Sequence, residues 1–98
     1  MAVSHHGALL RTIFQDPISA NIHWREVESL LHHLGANVES LNGNRIRVKL
    51  NRGEAVLHRP HHSNTLDRNG VRGLRAFLAG AGMTPSQYEA AHDKPDAG

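Results

Sequence analysis

The stretch Ala36–His58, ANVESLNGNRIRVKLNRGEAVLH, decides the fold. In its middle, Ile46, Val48 and Leu50 alternate with Arg45, Arg47 and Lys49. A period of two places the first set on one side of a strand and the second on the other. Asn42-Gly43-Asn44 and Asn51-Arg52-Gly53 flank this run and supply residues that tolerate positive φ, as tight hairpin turns require. The stretch therefore reads as three strands, Ala36–Leu41, Arg45–Leu50 and Glu54–His58, in an antiparallel meander. One face goes to the core and the other carries three cations. Three like charges with no acid among them weaken a sheet, and cross-strand or ligand anions would relieve them.

Helices bracket the meander. Asn21 is placed as the N-cap of a helix running to about Leu34 and closed by Gly35. Trp24, Val27, Leu30, Leu31 and Leu34 fall at helical spacing within it, with Arg25, Glu26 and Glu28 facing away. Downstream, a helix from about Asp67 to Ala79 turns Val71, Leu74, Phe77 and Leu78 inward. It sets Arg68, Arg72 and Arg75 on one outward stripe. Gly80 and Gly82 end it, and Thr84-Pro85 starts one more turn through Tyr88. Upstream, His6–Phe14 (HGALLRTIF) is a short separate helix ended by Asp16-Pro17, because proline disfavours helix at the residue before it. The expected fold is α+β: a two-layer α-β-β-β-α sandwich on a three-stranded antiparallel sheet, with an extra N-terminal helix. That is the layout of double-stranded-RNA-binding domains. Residues 1–16 are expected to be a helical extension, 17–90 the folded domain, and 91–98 a disordered tail.

Ninety-eight residues suffice for one domain with a small core. The absence of cysteine excludes disulfide frameworks, thiolate zinc sites and cysteine nucleophiles. No run approaches the roughly 18–20 apolar residues that span a bilayer, and Met1–Gln15 lacks the pattern of a secretory signal. A cytoplasmic location is the expectation. Arginine supplies nearly all of the positive charge, since the lysines are Lys49 and Lys94 alone. Its planar fork suits phosphate better than the point charge of lysine. Nine histidines are the unusual figure, each able to act as acid, base, cation or metal ligand.

The densest cluster is His58-Arg59-Pro60-His61-His62. It reads in three ways. His58 and His61 have a workable spacing for a metal, although Asp67 is the nearest carboxylate. Alternatively, histidine moves protons while a ribose 2′-hydroxyl attacks its own phosphate, and arginine neutralises the developing charge. The third reading is a polar loop stiffened by proline. His32 and His33 suit a helix C-terminus for dipole reasons alone, and His5, His6 and His92 carry no assigned role. A basic surface is assembled from Arg45, Arg47, Lys49, Arg59, Arg68, Arg72 and Arg75. Such phosphate contacts give affinity and salt dependence without base specificity. Aromatic residues are few, which favours recognition of structured RNA by shape. No cofactor and no metal is expected.

In their order and spacing, several pieces resemble the HicA (YcfA-like) toxin family over about Asp16–Pro85. They are the helix with Trp24 that ends in Leu34-Gly35, the turn Gly43-Asn44-Arg45, the Pro60-His61-His62 loop and the helix ending in Ala81-Gly82. The run from Pro17 to Trp24 also looks like the start of the domain in a HicA-like subgroup. The resemblance implies a dsRBD-like domain, metal-independent cleavage of mRNA and a HicB-like antitoxin partner. It also implies a catalytic histidine in a Gly-Ser-His turn leading into the second strand, where this chain has Gly43-Asn44-Arg45. Arginine stays protonated and cannot be a general base, but it binds phosphate. The expected ribonuclease therefore uses Arg45 as a phosphate clamp and His62 or His61 for proton transfer, with His58 a further candidate. The alternative is a non-catalytic nucleic-acid-binding or protein-interaction module that has lost the histidine. A duplex-DNA binder using the same arginines is a third reading.

Overall fold

A computed structural model describes residues 5–60 and 64–92. Its elements are α1 (His5–Ile13), α2 (Trp24–Leu34), β1 (Asn37–Ser40), β2 (Arg45–Leu50), β3 (Gly53–His58), α3 (Arg68–Gly80) and α4 (Pro85–His92). The strands form one antiparallel sheet in the order β1-β2-β3. This is the expected α+β arrangement, a three-stranded meander with helices packed on it and a further helix at the N-terminus.

The alternation in β2 sets the layers. Ile46, Val48 and Leu50 are buried, and across the sheet they meet Leu57, Ala55 and Gly53 of β3. Val27, Leu30 and Leu31 of α2 and Val71, Leu74, Phe77 and Leu78 of α3 close over that face. Leu9, Leu10 and Ile13 of α1 and Tyr88 of α4 extend the same core. Each fully buried side chain of this size contributes about 1.5–3 kcal/mol.

The turns explain the register. Leu50 pairs with Gly53 around the two-residue loop Asn51-Arg52, and Asn51 supplies the positive φ, at 54°. Its side-chain amide donates to the Ala81 carbonyl at 2.7 Å, tying the hairpin to the end of α3. Gly53 is needed for a different reason. A Cβ there would sit 3.1 Å from Ala81 Cβ and 3.2 Å from its backbone nitrogen.

Two expectations about helix ends are corrected. Asn21 does not cap α2, whose N-cap is His23 without a side-chain hydrogen bond. The segment before α2 is instead joined to the segment before α3 by one isolated antiparallel bridge. Leu66 N–H donates to the Ile22 carbonyl at 2.9 Å, Trp24 N–H donates to the Asn64 carbonyl at 2.7 Å, and His23 bridges Thr65. Backbone pairing with Asn64 thus replaces the expected cap. The last helix is also longer than one turn, because α4 continues to His92 and docks Tyr88 into the core. By contrast, Asp67 caps α3 as its sequence position suggests, accepting from Gly70 N–H at 2.7 Å.

Candidate nucleic-acid interface

Four chain segments meet at one end of the sheet: the start of β2, the end of β3 and the two paired stretches leading into α2 and α3. Arg45 and His58 are directly opposed across β2 and β3. Arg59 N–H donates to the Asn44 carbonyl at 2.7 Å. That bond makes Asn44 and Arg59 a hydrogen-bonded pair, so Arg45 and His58 form the adjacent non-bonded pair, in which side chains stand closest. Both point away from the core and are exposed, as is Arg59. Arg45 Nε donates to the Asn42 carbonyl at 3.3 Å, which aims the guanidinium along the turn. Of the candidate proton-transfer residues, His58 is thus placed beside Arg45. His61 and His62 lie outside the described residues.

The cationic sheet face is relieved internally. Arg47 Nη1 lies 3.3 Å from Glu39 Oε1 of β1, and Arg47 Nε lies 3.6 Å from Glu54 Oε2 of β3. Lys49 pairs in register with Asn37 and Glu54. The middle of this face is therefore close to charge-balanced, and the unopposed positive charge is displaced to the Arg45–His58–Arg59 end.

On the expected arginine stripe of α3, Arg68 and Arg72 are exposed but Arg75 is not outward. Its Nε donates to the Ile13 carbonyl at 2.6 Å, its Nη2 donates to the Gln15 carbonyl, and its Nη1 lies 3.3 Å from Asp16 Oδ1. The physical reason is the helix end. The carbonyls of Leu10, Arg11 and Thr12 accept from Phe14 and Gln15 N–H groups, and the cationic fork takes the Ile13 carbonyl that ends α1 together with the Gln15 carbonyl just beyond it. Arg75 is placed as the cap of α1, away from the β2–β3 end.

Beside Arg59 lies a groove of about 450 Å³ between the outer edge of β3 and the first half of α3. Val56, Leu57 and Pro60 form one wall, Asn69, Gly70 and Gly73 the other, and Trp24 is part of the lining. Among the described residues, Val56, 46% exposed, is the large apolar side chain left in the open. Trp24 is 7% exposed, and its indole Nε1 is buried without a hydrogen-bond partner among the described residues. Sequence reasoning assigned Trp24 to the core alone and gave α3 no role in a groove. The available signal was a pair of glycines in the first half of α3, of which Gly73, in the helix interior, costs about 1 kcal/mol relative to alanine. Gly70 is explained by crowding, since a Cβ would meet Leu66 Cδ2 at 3.2 Å. Gly73 is not, as its nearest neighbour would be Leu57 Cδ2 at 4.0 Å.

Among the described residues no cluster of three or more metal-ligating side chains occurs, and no helix is long and apolar enough to cross a membrane. No curated protein and no solved structure matches the chain. A family model described as the HicA toxin of bacterial toxin-antitoxin systems matches residues 24–82, from the first residue of α2 to just past α3. That span holds the whole sheet, both core helices and the Arg45–His58–Arg59 end, so the chain belongs to the HicA toxin family.

Proposed function

We propose that the chain is the toxin of a toxin–antitoxin pair and a cytoplasmic ribonuclease that cleaves mRNA at the Arg45–His58–Arg59 end of the sheet. The observation that carries this reading is the directly opposed Arg45–His58 pair. A guanidinium binds a phosphodiester and stabilises the negative charge that builds on it as a neighbouring 2′-hydroxyl attacks. Imidazole takes the proton from that hydroxyl, and a second imidazole returns one to the departing 5′-oxygen. We assign the first role to His58 and the second to His61 or His62. The products are a 2′,3′-cyclic phosphate and a 5′-hydroxyl. Arg59 extends phosphate binding, with Arg47, Lys49, Arg68 and Arg72 as peripheral cations. A HicB-like antitoxin that covers this end would silence it.

The test is incubation of purified protein with a labelled structured RNA. Wild type yields cyclic-phosphate ends; Arg45→Ala and His58→Ala each reduce the rate by about 100-fold or more, the scale for removing one transition-state donor or one acid–base group. If wild type binds RNA with a salt-dependent affinity and never cleaves it, the chain is the non-catalytic binding module. Arg45 where the family's catalytic histidine is expected favours that second reading. A gain of cleavage in Arg45→His would establish it.

A further inference from the structure

We infer that the groove between β3 and α3 is a binding site for one unpaired nucleobase, whose flanking phosphate lies on Arg59 and Arg45. The inference rests on the RNA reading above and adds what that reading lacks, a means of telling single-stranded from paired RNA.

Four observations converge on it. The first is the open edge of β3. Since Asn44 pairs with Arg59 and Leu50 with Gly53, the alternate residues Ile46–Leu57 and Val48–Ala55 exchange the ladder bonds. The N–H and C=O groups of Val56 and His58 must then point away from β2, toward the groove that both residues line. An edge residue offers a donor and an acceptor on the same side, the complement of a base edge.

The second is shape and lining. A volume of about 450 Å³ lies within the range of small-ligand clefts, about 300–1,000 Å³. Its walls are apolar, from Val56, Leu57, Pro60 and Trp24, with Asn69 and Thr65 as polar groups. Third, position 73 carries no large side chain into the groove, and even a Cβ there would meet only Leu57 Cδ2, at 4.0 Å.

The fourth observation, charge, selects the occupant. Arg59 and His58 line one end and Arg45 stands beside them. Asp67, the lining carboxylate, already accepts from Gly70 N–H. Only Val56 and His58 of the edge face the groove, less than a protein strand needs for a stable ladder. A nucleotide needs one base-edge contact and one phosphate contact. Bases out of the stack are read in this way, on apolar walls or guanidinium planes with hydrogen bonds to their edges.

Trp24 is the single tryptophan and lies in the lining, so its fluorescence reports occupancy directly. The probes are a mixed-sequence single-stranded RNA hexamer, the same hexamer with abasic residues throughout, and a fully paired duplex. The hexamer is expected to change Trp24 emission saturably and to bind about tenfold more tightly than its abasic counterpart, while the duplex leaves the emission unchanged. Gly73→Leu fills the groove and should bring the hexamer-to-abasic ratio close to one; Gly73→Ala, whose methyl has room, should keep it. Both replacements favour helix, and a thermal melt confirms the fold. Amide exchange at Val56 and His58 should slow with the hexamer only.

Equal affinity for hexamer and abasic RNA overturns the inference and leaves RNA binding intact. So does a preference that survives Gly73→Leu. Protection of Val56 and His58 that accompanies dimerisation without RNA would assign the edge to a second copy of this chain instead. If no RNA binds at any salt concentration, the proposed function fails together with this one.

Discussion

The helical flank and the open end of the sheet are built from the same residue types and treat them in opposite ways. On the flank, Arg75 is held by two backbone carbonyls and Asp16, and Arg11 Nε meets Glu89 Oε2 at 2.8 Å. His33 stacks on His6 with ring centroids 4.2 Å apart, and its Nε2 shares a hydrogen bond with Tyr88 Oη at 3.0 Å. His6 Nε2 in turn lies 3.0 Å from Ser29 Oγ. These contacts bind α1 and α4, which lie outside the span matched by the family model, onto α2 and α3. At the open end, Arg45 meets a single carbonyl, and the side chains of His58 and Arg59 have no partner among the described residues. A cation whose donors are taken by carbonyls stabilises the fold. One whose donors face solvent beside a groove is available to a phosphate. Composition cannot separate the two; the position of the neighbouring helix end can.

The sharpest way to break this contrast is at Arg75. Replacing it with alanine leaves the carbonyls of Ile13 and Gln15 without their cationic donor. Hydrogen bonds to charged groups are worth about 1.5–3 kcal/mol each, and the two share one side chain. Arg75→Ala should therefore cost about 2–3 kcal/mol, which lowers the melting temperature by about 10–20 °C for a domain of this size. The salt slope of RNA binding should not change. A reduced slope with little loss of stability would return Arg75 to the nucleic-acid surface. Tyr88→Phe comes next, at about 1 kcal/mol, because it deletes one part-buried hydrogen bond while keeping the ring in the core. Arg11→Ala should cost less than about 0.5 kcal/mol, since both partners of its ion pair are roughly half exposed.

How much of this was legible in the sequence follows the range of the forces involved. The meander was legible because Ile46, Val48 and Leu50 alternate with cations and because Asn51 and Gly43 supply the positive φ angles that its turns use. The core faces of α2 and α3 were legible for the same local reason. Asn21 misled because a cap is a competition, and the Asn64 carbonyl more than forty residues away wins it. Arg75 misled similarly: its helical spacing from Arg68 and Arg72 is real, but the end of α1 sits beside only one of the three. The Arg45–His58 pair was partly legible, since both residues bound hairpin strands, although the register that opposes them depends on the two-residue turn at Asn51-Arg52. The groove was not legible. It exists because β3 is an edge strand lying beside Gly70 and Gly73, a relation between distant segments that no local pattern encodes.

The smallest effect on stability, and the one that sharpens the comparison most, belongs to Arg59→Ala. Arg59 is exposed and contributes to the fold through its backbone N–H, which the substitution keeps. Its loss should change unfolding free energy by no more than about 0.5 kcal/mol, as for other surface replacements without partners. For RNA the expectation is different. Removing one phosphate contact weakens binding across all sequences and lowers the slope of log affinity against log salt by about one. Arg75→Ala should do the reverse, destabilising the fold while the slope stays fixed. Measuring unfolding and a salt titration on the two variants side by side therefore separates a cation that caps a helix from one that faces a phosphate. If both variants shift both quantities, the flank and the open end form one continuous surface, and the division between them fails.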